Sequence, residues 1–134
     1  MRITAALALS LSLAGSTLAP EEGTVRSLLS KDLAGDSRRE ISMITVDYPP
    51  GGSTPVHTHR AQAMVYVVEG SIVMQVKGGS PVTLTQGQTF YEGLDDVHLV
   101  SRNASQTAPA KFVVVLVKDK GAPILTPVKT GSQP

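Results

Sequence analysis

Residues 49–70 read PPGGSTPVHTHRAQAMVYVVEG, and the reading of every other segment depends on this one. It sets His57 and His59, two of the chain's three histidines, one residue apart between a Pro/Gly turn and a strongly β-forming run. Along a strand, residues i and i+2 point to the same side of the sheet. A His-Thr-His triplet that enters or lies on a strand therefore aims both imidazoles at one point. Two neutral nitrogen donors aimed at one point suit a borderline metal ion.

Upstream, EISMITVDY (40–48) alternates, with Ile41, Met43 and Thr45 on one side and Ser42, Ile44, Val46 and Tyr48 on the other. It stops at two prolines that cannot continue a ladder. Downstream, MVYVVE (64–69) is a strand closed by Gly70, residues 72–76 form the next, and KGGSP (77–81) turns the chain into 82–84. Gly87 opens a turn before a strand at 89–91, GLDD (93–96) is a loop, and 97–101 is a strand carrying His98. After a polar loop, KFVVVLVK (111–118) is apolar between its lysines and predicts a strand buried on both faces. Met64 and Met74 read as core, and Tyr91 as a sheet-packing aromatic. Residues 21–39 are polar and mixed, with SLLSKDL (27–33) either one helical turn or a short edge strand and a turn at 34–36. Residues 119–134, rich in Pro, Gly and Thr, predict a tail packed across an edge or a partner. Roughly six to eight short strands without a helical period predict an all-β fold, an antiparallel sandwich or jelly-roll barrel.

A length of 134 residues allows one domain with a real core. The absence of cysteine excludes disulfides, thiolate nucleophiles and Cys-ligated zinc. A formal charge of +1 gives no electrostatic reason to expect nucleic acid or an acidic membrane as a partner. With no Trp, three Tyr and two Phe, base-stacking platforms are equally unsupported. Residues 1–19 have the layout of a secretory signal peptide: Arg2, an apolar run, then small residues in AGSTLA. The run is short for a membrane span, and no polar stripe marks it as an amphipathic core helix. Its removal takes away Arg2 and no acid, so 11 acidic residues face 11 basic ones and the mature chain is nearly neutral. A periplasmic or secreted location is expected, with no membrane contact afterwards.

The third histidine closes GQTFYEGLDDVH (87–98), and with it the chain resembles the cupins. Gly51, His57, His59 and Gly70 fall on that family's first motif: Gly, five residues, His-x-His, three or four residues, Glu, six residues, Gly. Gly87 and His98 fall on the second: Gly, five residues, Pro-x-Gly, two residues, His, three residues, Asn, with Asn103 one residue late. The resemblance implies a jelly-roll (double-stranded β-helix) barrel over 40–118, preceded by an arm over 20–39 and followed by the tail. It also implies a divalent metal held by His57, His59 and His98, and pairing into a homodimer. Two departures stand out: the motif's Glu position holds Ala63, preceded by Gln62, and its Pro and Gly are Gly93 and Asp95. Gln62 through its amide oxygen, or Glu92 through the strand parity it shares with Phe90, are candidates to replace the missing carboxylate. The bland alternative makes each a pocket wall or a solvated residue. Glu92 is also the one candidate for a proton shuttle. Ala63, Val65, Val67 and Phe90 are expected to line a dry interior.

Iron, manganese, zinc, nickel and copper all suit such donors, because affinity order alone does not decide occupancy. Two function classes follow. One is a metal-dependent enzyme, dioxygenase-like or isomerase-like, acting on a small molecule; the other is a non-catalytic module that binds a metal or small ligand.

Overall fold

The computed structural model describes residues 19–129, so the expected signal peptide lies almost wholly outside the described residues. Strands follow one another as β1 (Thr24–Leu33), β2 (Asp36–Tyr48), β3 (Ser53–Thr54), β4 (His57–Thr58), β5 (Ala61–Glu69) and β6 (Ser71–Val76). The second half adds β7 (Val82–Thr85), β8 (Thr89–Glu92), β9 (His98–Asn103), β10 (Ala110–Asp119) and β11 (Thr126–Pro127). One sheet has the order β1-β2-β10-β5-β8; the other has β11-β4-β9-β6-β7, with β3 also paired to β9. All the ladders between named strands are antiparallel, and the two sheets face each other as the jelly roll predicted. Among the described residues, no helix is long and apolar enough to cross a membrane.

Period-2 alternation builds the core. Ser42, Ile44, Val46 and Tyr48 of β2 are buried, as are Ala61, Ala63, Val65 and Val67 of β5 and Phe112, Val114 and Leu116 of β10. Tyr48 and Phe112 meet edge to face, with ring centroids 5.3 Å apart. Crossing from β5 in one sheet to β6 in the other requires a sharp reversal at Gly70, whose φ is 70°. A Cβ there would lie 2.5 Å from the Pro109 carbonyl oxygen, so only glycine fits. Asn103 is buried at the end of β9, where its side-chain amide donates to the Pro49 carbonyl at 3.0 Å and the Ala108 carbonyl at 2.8 Å. It thereby ties the Pro/Gly turn before the histidine pair to the loop before β10.

Two expectations are corrected. β10 is not buried on both faces: Val113, Val115 and Val117 point outward and are half-buried, because no described segment covers that side. Met64 is not core; it is paired with Tyr91 on the outer face of the larger sheet, and both are exposed. Of the two readings offered for 27–33, the edge strand is the one observed: β1 pairs with β2 along most of its length and forms the edge of the larger sheet, with the turn following at 34–35.

Candidate metal centre

The histidine pair sits where the chain passes between sheets. His57 lies in β4, directly opposite His98 in β9, so the ladder places their side chains on one face. His59 follows just past β4, ahead of Arg60, whose φ of 47° turns the chain into β5. Glu92 ends β8 in the other sheet and is directly opposite Ala63 of β5. The four side chains converge between the sheets, with one donor atom from each lying within 4.8 Å of the others.

Each ring is set by its other nitrogen. His57 Nδ1 is 2.7 Å from the Pro55 carbonyl oxygen, and His59 Nδ1 is 2.6 Å from that of Ile124. A carbonyl only accepts, so both Nδ1 atoms carry the proton and donate it, leaving each Nε2 with a bare lone pair in the neutral ring. Those two Nε2 atoms are 3.1 Å apart. Glu92 Oε2 lies 3.4 Å from His59 Nε2 and 3.1 Å from His98 Nδ1. Lone pairs facing each other at this distance repel until a cation stands between them. Glu92 Oε2 and both nitrogens of His98 are buried without a hydrogen-bond partner among the described residues. Two donors each about 2.1 Å from a shared ion lie about 3.0 Å apart at a right angle and about 3.4 Å apart at a tetrahedral one. The three shortest contacts, His57–His59 at 3.1 Å, Glu92–His98 at 3.1 Å and Glu92–His59 at 3.4 Å, fall in that span, and the buried, unpartnered donor set suits a divalent metal.

Burial also keeps the first donor neutral. Loss of solvation pushes the His57 pKa down from 6.5 to about 4; the bond to Pro55 and the Glu92 charge oppose this, while His59 and His98 add to it. Its lone pair is therefore available at neutral pH. The cluster opens on a chamber of about 30 Å³ whose other walls include Val65, Met74 and Phe112.

Of the residues expected at the site, His57, His59, His98 and Glu92 come together. Gln62 does not: it points outward from β5, because its neighbours Ala61 and Ala63 take the inward positions. Val65 lines the chamber; Ala63 and Val67 are buried in the core, and Phe90 stacks on His98 with centroids 6.1 Å apart. Three contributors were not anticipated: Val25 of β1, and Ile124 and Leu125 ahead of β11, which close the chamber. Ile124 acts on His59 through a backbone carbonyl, which has no signature in sequence. Tyr48 is a fourth. Its hydroxyl lies 2.6 Å from Thr54 Oγ1 and 2.7 Å from Ser101 Oγ, and Thr54 and Ser101 both reach the chamber wall. The inward parity of Tyr48 was legible; its partners were not.

Comparison with known proteins gives the same picture. Residues 44–116 match the family model described as the cupin domain. The chain is 36% identical over 115 residues to germin-like protein 12-3 of Oryza sativa subsp. japonica, covering 76% of this chain and 49% of that one. It is 27% identical over 136 residues to oxalate oxidase 1 of Hordeum vulgare, covering 87% and 68%. A solved structure of oxalate oxidase in complex with the substrate analogue glycolate superposes with a TM-score of 0.64 at 25% identity, over 91% of this chain and 63% of that chain. The chain thus spans about half the length of the first of these relatives and 68% of the second.

Proposed function

The chain belongs to the cupin family, and from that premise we propose that it is a metal-dependent, oxidase- or dioxygenase-like cupin acting on a small molecule. The observation that carries this is the set of buried polar atoms without hydrogen-bond partners, Glu92 Oε2 and the two ring nitrogens of His98, one of which is a free lone pair in the neutral ring, beside the facing Nε2 atoms of His57 and His59. His57, His59, His98 and Glu92 would hold the ion, which when bound supplies a Lewis acid or, for iron, manganese or copper, a redox centre. The chain's own part is to hold donors and exclude water. Pro55 and Ile124 lock two imidazoles in the ligating tautomer, and the apolar walls keep the local dielectric low. Glu92 gives the carboxylate that Ala63 lacks and offsets part of the cation's charge. Small carboxylates lead the substrate candidates, because oxalate oxidases stand among the relatives and one is solved with glycolate.

A second reading rests on the size of the chamber. A volume of about 30 Å³ holds an ion with a water or two, which suits a module that binds metal without turnover. Isomerase-like chemistry on a small molecule remains within the first reading. The signal-peptide layout of residues 1–19 supports export to the periplasm or beyond, and an intact mass that retains Met1 after export would reject it. We also assign a homodimer to the outer face of the larger sheet, where Met64, Tyr66 and Tyr91 are exposed beside an apolar groove.

The direct test is metal content of purified protein beside His57→Ala and His98→Ala. Bound metal in the wild type and a loss of more than about a hundredfold in affinity in both variants is expected, beyond what an outer-shell partner costs. Equal, near-zero metal in all three would remove the site. Oxygen consumption by protein loaded with iron, manganese or copper, offered oxalate, glycolate, phenols and thiols, separates the two readings. No turnover with any of these metals leaves the binding module.

A further inference from the structure

The next inward position of β10 after Phe112, Val114 and Leu116 holds Lys118, 2% exposed. A buried ammonium has to be paired and hydrogen-bonded. Its Nζ donates to the Glu40 carboxylate and to the Ala122 carbonyl at 2.6 Å, with the Asp119 carbonyl 3.4 Å away. The Glu40 carboxyl is held below its ordinary value chiefly by that lysine, with the Gly121 N–H among the smaller contributions. Both members of the pair thus grip the turn over residues 119–122. Immediately beyond it, the Ile124 carbonyl receives the His59 Nδ1 proton, Ile124 and Leu125 close the chamber, and Thr126 and Pro127 pair with Thr58 and His57.

We propose that Lys118 is a positioning residue for the metal centre. By clamping the turn through Ala122 it delivers the Ile124 carbonyl to His59, and so holds the His59 Nε2 lone pair in the cluster. This rests on the metal-site reading above, since it names what fixes one of that site's donors. Removal of a ligand's outer-shell partner weakens metal affinity by roughly 10–100-fold. Lys118 stands one residue set further out, so about tenfold is expected.

The test uses the full chain with Lys118→Met and Glu40→Leu together, so that neither charge is left buried alone. Zn²⁺ affinity is measured by chelator competition in this variant, in His59→Ala, and in the two combined. The expected result is about a tenfold loss when His59 is present and no further loss when it is absent. An equal loss in both backgrounds would make Lys118 merely structural and overturn the proposal, as would no loss at all. A second readout needs no metal: nitrogen-15 NMR of the His59 ring should report the Nδ1-protonated tautomer in the wild type and its erosion in the paired variant. An unchanged tautomer overturns the proposal. If the wild type takes up no Zn²⁺, the metal reading fails, while the tautomer still decides the role of Lys118. Should the paired variant not fold, Glu40→Gln is put through the same cycle, with a loss of about threefold expected and the same results overturning.

Discussion

On the larger sheet, the two faces of the same strands meet opposite fates. Inward, Val65 and Leu116 are 2% and 0% exposed; outward, Met64 and Tyr66 on β5 are 42% and 50% exposed. Both faces are apolar, so hydrophobicity does not distinguish them. Their partners do. The inner face meets the second sheet and accepts polar groups only where they are tied together, as in the His/Glu cluster and the Lys118–Glu40 pair. The outer face meets nothing among the described residues, and its apolar groove is the face to which the proposed homodimer is assigned.

The largest effect that sharpens this contrast comes from substituting one residue on each side. Leu116→Ala removes a fully buried side chain and should cost about 2–5 kcal/mol in urea unfolding. Tyr66→Lys on the outer face should change the stability of the monomer by no more than about 0.5 kcal/mol. In sedimentation it should shift the wild-type dimer to monomer. A wild type that sediments only as monomer breaks the dimer half of the comparison.

Next comes the one carboxylate at the centre. Glu92→Ala should weaken metal binding by roughly a hundredfold or more, beyond the outer-shell range. Because Ala63 faces Glu92 across the β5–β8 ladder, adding Ala63→Glu should restore most of it, returning the carboxylate to the strand where the family motif has it. Failure of that rescue, with the fold intact, would mean that the cluster reads its carboxylate from β8 alone.

The smallest effect is in pH. His57 is neutral in the fold down to about 4, whereas the unfolded chain protonates it near 6.5. Between those values the unfolded state binds the extra proton, so stability of the metal-free protein falls as pH drops from about 6.5 to about 4. The Glu40 carboxyl, lowered by Lys118, adds a loss that sets in lower, below 4.5. Urea midpoints across this range should show the upper slope in the wild type and lose it in His57→Gln, while Tyr66→Lys leaves it in place. A slope that persists without His57 would assign it to another group.

Much of this was legible in the chain and some was not, for identifiable reasons. His-Thr-His spacing and strand parity depend on neighbours two residues apart, so the convergence of His57 and His59 could be read directly. The gap at Ala63 was visible, and so was Glu92 as a candidate to fill it. The choice between Glu92 and Gln62 was not, because it turns on whether β5 bulges at Gln62, which it does not, and on the β5–β8 ladder bringing Glu92 opposite Ala63. The run KFVVVLVK is apolar at every position between its lysines, so no pattern in it says that one face stays uncovered. Lys118 ends that run and looks like a solvated terminus; its burial depends on Glu40 arriving from β2, which the β2–β10 ladder sets directly opposite.

By itself, then, the amino-acid order determined an all-β barrel, its turns at Gly51, Gly70 and Gly87, and three histidines of one site, since these follow from local backbone preference and period-2 alternation. Only the tertiary structure decided the carboxylate, the carbonyl that orients His59, the lysine that anchors it and the face left bare. Those depend on registers and crossings between segments far apart in the chain, and the energies that select them exist only once both sheets have come together.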